Sequence, residues 1–225
     1  MKFYNETFSK IIKGKSIAIV GPAPTLLGKN QGEYIDSFDL VCKPNLSFNP
    51  NEDIQKDYGS RNDIFLTCFN KTPIQEIINS SYDFKDAKCI VKGQYQPNIE
   101  FYKIMIDFSV CNQIPLIDFS NQVFLDCWKE FGINLTTGLN AIKMILDHES
   151  SKIFIAGFSF YDKNLSVYFD EFNDSNLSAE GGFPDNLLRD FNFPELPLQV
   201  EVFKKILKEN KNIILDEYLE RRFRI

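Results

Sequence analysis

Ser16–Asn45 reads SIAIVGPAPTLLGKNQGEYIDSFDLVCKPN, and the order of apolar and turn residues within it decides the fold class. Ser16–Val20 (SIAIV) is a short unbroken run rich in β-branched residues, the pattern of a strand covered on both faces. It stops at Gly21 and enters the turn GPAPTLLG, after which a helix is expected to begin near Thr25 and to carry Leu26 and Leu27. Phe38–Cys42 (FDLVC) reads as the next strand, ending at Lys43-Pro44-Asn45. Strand, glycine turn, helix and strand make the unit from which parallel α/β sheets are assembled.

The same alternation continues downstream. Asp63–Cys68 and Ala87–Val91 read as strands, and Thr72-Pro73 as an N-cap with proline at the first helical position, opening a helix through Ile78. Asn98–Phe108 and Asn121–Phe131 read as helices. Leu135-Thr136-Thr137-Gly138 precedes a helix with Leu139, Ile142, Ile145 and Leu146 on one face. Lys152–Ala156 (KIFIA) is a buried strand ending at Gly157. Tyr161–Phe193 is polar, rich in Asn and Asp, and reads as a long loop or lid. Leu198–Leu207 is a helix, Asn212–Leu215 a last short strand, and the tail a charged helix. The expectation is one domain over 1–225: α/β, with a Rossmann-like, mostly parallel sheet and flanking helices. Such sheets bind ligands at the carboxyl ends of their strands. The segments to search therefore follow Val20, Cys42, Cys68 and Ala156, together with the helix start at Gly138.

Composition narrows the chemistry. A chain of 225 residues with 44% hydrophobic residues can bury a sizeable core. A formal charge of −6 argues against an extended nucleic-acid surface. No apolar run reaches the length of a membrane span, and the N-terminus lacks the apolar core of a signal peptide. Five scattered cysteines without a CxxC pair read as free thiols in a reducing, cytoplasm-like compartment. The single histidine, His148, excludes a His-rich zinc or iron site. It falls near a helix end, where it is expected to be solvated and to interact with the helix dipole. A Ser-His-Asp hydrolase is disfavoured, because G-x-S-x-G is absent and one misplaced histidine cannot complete the triad.

Two segments carry ligand chemistry. A strand ending in glycine and turning into a helix, as at IAIVGPAPTLLG, aims backbone N–H groups at an anion. It is neither GxGxxG nor GxxxxGK[ST]. In NLTTGLNAIKMIL, paired threonines offer a cap and hydroxyls, and Gly138 lets a ligand approach the backbone; such an end suits a phosphate or a ribose. No two aspartates stand two residues apart, so the DxD pair that holds a divalent metal for diphosphate-sugar donors is missing. A donor with one phosphate needs less neutralisation, and no cofactor or metal is expected.

Taken in order, these segments resemble the family 29 glycosyltransferases, the sialyltransferases. Val20-Gly21, Gly32, Ile35-Asp36, Asp39, Lys43 and Asn45 match the large sialyl motif. Thr136-Thr137-Gly138, followed by a helix, a strand and Gly157-Phe158, matches the small one. Val167-Tyr168-Phe169-Asp170 resembles the short His-Tyr-Tyr-acid motif, and Leu196 to Glu201 the final His-x4-Glu. The resemblance implies a GT-A-like variant without DxD and a CMP-sugar donor, with transfer to a glycan acceptor. Its donor-binding residues would be Gly21, Pro22, Ala23, Asn45, Thr136, Thr137, Gly138, Gly157, Phe158 and Tyr168.

The departures bear on catalysis. Pro22-Ala23-Pro24 replaces an Asn-Ser-Gly turn and removes side-chain donors. Val167 and Leu196 stand where the family has histidines, the second its proposed general base. Asp170 and Glu201 are the nearest acids, and a buried carboxylate can be tuned toward neutrality for that task. Positions near Lys15–Ser16 and Ser150-Ser151 hold no cysteine, so the family's disulfide is missing. The sequence thus supports two readings: a sialyltransferase-like enzyme with a replacement base, or a nucleotide-sugar-binding protein with a degenerate site. The oligomeric state is not fixed by the sequence.

Overall fold

In the computed structural model, residues 5–45, 52–68, 84–93, 99–160, 162, 165 and 196–223 are described. Strands β1 (Ser16–Val20), β2 (Leu40–Pro44), β3 (Ile64–Thr67), β4 (Cys89–Lys92), β5 (Leu116–Asp118), β6 (Lys152–Ala156) and β7 (Ile213–Leu215) form one seven-stranded sheet. Its order is β5-β4-β3-β2-β1-β6-β7, and every neighbouring pair is parallel. β1 pairs along its whole length with β6, from Ser16 opposite Lys152 to Val20 opposite Ala156. The fold is the Rossmann-like α/β arrangement expected from the alternation.

The helices among the described residues are α1 (Glu6–Ile12), α2 (Gly32–Asp36), α3 (Glu52–Tyr58), α4 (Ile99–Asn112), α5 (Ser120–Phe131), α6 (Thr137–Leu146), α7 (Leu196–Glu209) and α8 (Glu217–Phe223). Side chains alternate across the pleat. Ile17 and Ile19 of β1 join one apolar layer with Phe8, Ile12, Ile142, Ile145, Phe203 and Leu219. Ala18 and Val20 face the other, with Leu26, Ile35, Phe38, Tyr58 and Phe154. Both faces are covered, which is why the strands read as continuous apolar runs.

Three expectations need correction. The helix expected near Thr25 is only a 3-10 turn, Pro24–Leu26. Proline at the first position is compatible with a helix, but Leu27 already leaves the helical region, at ψ 128°, and Gly28 follows at φ 72°. β5 was not foreseen, because Ile114-Pro115-Leu116-Ile117 is short, carries proline and lies at the sheet edge. The third concerns His148, which is buried rather than solvated, with 2% exposure. Helix α1 closes over it: Asn5 N–H donates to Nε2 at 3.2 Å, and Phe8 stacks edge-on at 4.9 Å. Nδ1 lies 2.7 Å from the Met144 carbonyl. A carbonyl only accepts, so Nδ1 carries the hydrogen, and both nitrogens are committed. The expected helix after Thr72-Pro73 and nearly all of Tyr161–Phe193 lie outside the described residues.

Cys42, Cys68, Cys89 and Cys127 are buried, Cys111 is exposed, and none of the five is in a disulfide. Where the resemblance places a disulfide, the backbone joins the same positions: Ser151 N–H donates to the Lys15 carbonyl at 2.9 Å. No helix among the described residues is long and apolar enough to cross a membrane.

Lys43 of β2 is buried, and its Nζ donates to the Gly59 carbonyl at 2.6 Å. Burial pulls its ammonium down to about 8 from the ordinary 10.5, against the pull of Asp36 and Asp63. The unfolded chain keeps that proton up to 10.5, so between pH 8 and 10.5 the unfolded state binds more protons. The Lys43 contribution to stability should therefore rise with pH across that window, by of order 3 kcal/mol at most. The buried Cys42 and Cys89 thiols, held above their ordinary value by burial, pull the other way at its upper end. Urea midpoints measured against pH in the native protein and in Lys43→Met isolate it: their difference should grow in favour of the native protein between pH 8 and 10.5.

Candidate functional site

From β1 the chain winds outward to β5, returns to β6 beside β1, and continues outward on the other side to β7. The crossovers leave β1 and β6 in opposite directions, and the place where they part is where open α/β sheets bind ligands. Gly21 follows β1 there and Gly157 follows β6. Gly21 N–H donates to the Ala156 carbonyl and Ala23 N–H to the Gly157 carbonyl, both at 2.8 Å. The approach is too close for side chains. A Cβ on Gly21 would sit 2.4 Å from the Gly157 oxygen, and one on Gly157 would sit 2.4 Å from the Gly21 oxygen. Gly157 is also left-handed, at φ 72°.

The start of α6 comes to the same place. A Cβ on Gly138 would meet Phe158 Cε1 at 2.5 Å, and one on Gly21 would meet Phe158 Cδ1 at 2.8 Å. The half-buried Phe158 ring thus rests against both turns, one early in the chain and one past its middle. Thr136 is the N-cap of α6, but its hydroxyl makes no capping bond, contrary to the expectation that the threonines would cap the helix. No acidic residue occupies the first turn. The intrahelical ladder begins with Asn140 N–H to the Thr136 carbonyl at 2.9 Å, so the N–H groups of Gly138 and Leu139 precede it. An acid-free helix start of this kind favours an anion.

The turn after β1 does not play the part expected of it. Gly21 and Ala23 spend their N–H groups on Ala156 and Gly157, and Pro22 has none. Its contribution is shape; the N–H groups ahead of a hydrogen-bond ladder are those at the start of α6. The turn is held from outside by α3. Tyr58 donates its hydroxyl to the Ala23 carbonyl at 2.6 Å, and the two Asp57 oxygens accept from Gly28 and Asn30 N–H at 2.7 Å each.

Other motif residues also have structural partners. Asp36 accepts from Ser60 and Arg61 N–H, and Asp39 from Ser16 N–H. Asn45, left-handed at φ 50°, accepts the Cys68 N–H at 3.0 Å and ties the end of β2 to that of β3. The register Ile19 to Cys42 carries Asn45 just past the carboxyl end of β1.

Two residues went unnoticed in the sequence. Gln199 of α7 is 2% exposed; its Oε1 accepts from Thr136 N–H at 3.0 Å, and its Nε2 donates to the Asn134 carbonyl at 2.9 Å. It stands in the apolar stripe with Val202, Phe203 and Ile206, where a polar side chain could have been flagged. Asp216 caps α8 through Leu219 N–H and also accepts Gly157 N–H, at 2.8 Å each. Burial pushes its carboxyl above the ordinary range, against the pull of the Leu219, Gly157 and Tyr218 N–H groups. Its N-cap role is legible from the sequence; its reach to Gly157 is not.

The two proposed bases fare differently. Glu201 lies on the exposed side of α7, paired with Lys204 at 2.7 Å. Tyr168 and Asp170 lie outside the described residues.

No protein-family model matches the chain, and no curated protein is significantly similar to it in sequence. Among solved structures, a mammalian sialyltransferase superposes with a TM-score of 0.57 at 14% identity, covering 92% of this chain and 70% of its own. The same is true of a mammalian sialyltransferase in complex with Gal-β1-3GalNAc-ortho-nitrophenol, with a TM-score of 0.56 at 13% identity over 92% and 71%. The monofunctional α-2,3-sialyltransferase Cst-I of Campylobacter jejuni gives 0.53 at 15% identity over 93% and 79%. At these identities the likeness establishes a shared fold.

Gly21→Ala places a methyl against the Gly157 carbonyl and the Phe158 ring, where only the ring can yield. Overpacking of this kind costs about 1–3 kcal/mol, and urea denaturation should show a loss of that order. Gln199→Leu leaves the Thr136 N–H and the Asn134 carbonyl without their partner, and a loss of about 2 kcal/mol is expected.

Proposed function

We propose that the crevice between the ends of β1 and β6 binds a CMP-sugar, and that the chain is a sialyltransferase-like glycosyltransferase acting on a glycan hydroxyl without a metal. The observation that carries this reading is the acid-free start of α6 meeting the Gly21–Gly157 contact at the point where the strand order reverses. A single phosphate fits that place. The Gly138 and Leu139 N–H groups and the helix dipole can neutralise it without the clustered oxygen ligands that a metal would need. The Phe158 ring offers an apolar face beside it. The shared fold with sialyltransferases supports the same choice of donor class.

In the proposed reaction the acceptor oxygen attacks the anomeric carbon, the bond from that carbon to the CMP phosphate oxygen breaks, and configuration inverts. The hydroxyl proton passes to a base. The phosphate leaves with its charge held by the start of α6, and by Tyr168 if the resemblance extends that far; such preorganised donors act most strongly where charge develops. Asp170 is the better of the two candidate bases, since Glu201 is exposed and engaged with Lys204.

A second reading has its own support. Val167 and Leu196 replace the family's histidines, and loss of a general base typically costs about 10²–10⁴ in rate. A binding protein that retains the donor crevice without efficient transfer is consistent with this.

CMP should raise the melting temperature while UDP and GDP do not. At a concentration about 100 times Kd the stabilisation is about 2.7 kcal/mol, a rise of about 5–10 °C for a chain of this size. No shift with any cytidine nucleotide would contradict both readings. Release of CMP from CMP-sialic acid in the presence of a glycan acceptor separates them. Asp170→Asn should lower that turnover by about 10² or more, with Glu201→Gln leaving most of it.

A further inference from the structure

Helix α8 touches both turns of the crevice. The segment after β6 runs Gly157-Phe158-Ser159-Phe160 with left-handed residues at each end, Gly157 at φ 72° and Phe160 at φ 46°. A bulky residue is held in that region only where its surroundings over-determine it, and here the surroundings come from α7 and from the residues that start and form α8. Asp216 accepts Gly157 N–H at 2.8 Å. Arg222 donates to the Ser159 carbonyl and lies 3.2 Å from Asp162. Tyr218 donates its hydroxyl to the same Asp162 oxygen at 2.9 Å and accepts from Arg222 at 2.7 Å. Phe160 packs against Phe203 of α7 at 4.4 Å and Phe223 of α8 at 5.4 Å. On the other turn, Glu217 pairs with Lys29 at 3.2 Å.

We infer that Asp216, Tyr218 and Arg222 are positioning residues for the donor: together they fix the turn that sets the Phe158 ring between Gly21 and Gly138. None of them follows from the sialyl motifs. The inference rests on the donor reading given above. The turn carries two left-handed residues and one bond of its own, from Asp162 N–H to the Ser159 carbonyl at 3.1 Å. A clasp made by one carboxylate, one phenol and one guanidinium adds to it, with Arg222 Nη1 facing the Ser159 carbonyl, Asp162 and the Tyr218 hydroxyl. Arg222→Lys keeps the charge and one donor nitrogen on a shorter side chain.

The test uses the full chain, CMP as probe, and two readouts: Kd from calorimetry without denaturant and the urea midpoint. Loss of a charge-assisted hydrogen bond that acts only through the turn should weaken CMP binding by roughly ten- to hundredfold in Arg222→Ala. Arg222→Lys should recover part of it, and Tyr218→Phe should show a smaller loss of the same kind. A purely structural role would lower the urea midpoint and leave Kd alone, because a destabilised chain that is still folded binds as before. Should Arg222→Ala fail to fold, Tyr218→Phe, which removes one oxygen, carries the test. Native protein that binds CMP, with variants that bind it equally well, overturns the clasp and leaves the donor reading standing. Native protein that binds no cytidine nucleotide removes both.

Discussion

Two backbones that touch set the terms for the rest of the molecule. β1 and β6 pair in full register, and the residue after each is a glycine whose missing side chain is the space occupied by the other's carbonyl. That contact brings together turns separated by most of the chain, and it does so at the reversal of strand order, where the flanking connections open away from each other. The third participant, α6, arrives with its first turn bare of acids and with Gly138 small enough to admit the Phe158 ring. A side chain at Gly21 or Gly157 would push the two turns apart, and one at Gly138 would displace the Phe158 ring.

Around this contact, work is divided between shape and charge. The turn after β1 spends its N–H groups on the neighbouring strand and is braced by Tyr58 and Asp57. It forms a wall. The start of α6 leaves the Gly138 and Leu139 N–H groups ahead of the helical ladder, with Gln199 holding the peptide just before them. Asp36, Asp39, Lys43 and Asn45, which the sequence groups with Gly21 as one motif, make hydrogen bonds that tie β2 and its flanking loops in place.

The parallel sheet was legible because SIAIV and KIFIA are apolar runs ending in glycine, and a strand buried on both faces must look so. The meeting of Gly21 with Gly138 could be anticipated from the resemblance of the surrounding segments. Other features were hidden for physical reasons. His148 looked like a helix-end residue because its burial depends on α1, a partner distant in sequence. The turn after β1 looked like an anion site because the partners that occupy its N–H groups, at the end of β6, are distant in sequence. The reach of Asp216 and Arg222 to the turn after β6 is tertiary, and no local pattern encodes it. Gln199 was the exception, a polar residue in an apolar stripe that pattern reading could have caught.

The account stands on the crevice at the β1–β6 reversal being the place where a cytidine phosphate sits. Amide chemical shifts recorded during titration with CMP test this directly. The largest changes should fall on Gly138 and Leu139, with smaller ones at Gly21, Gly157 and Phe158. Saturable changes confined to the opposite, amino-terminal edge of the sheet would contradict it.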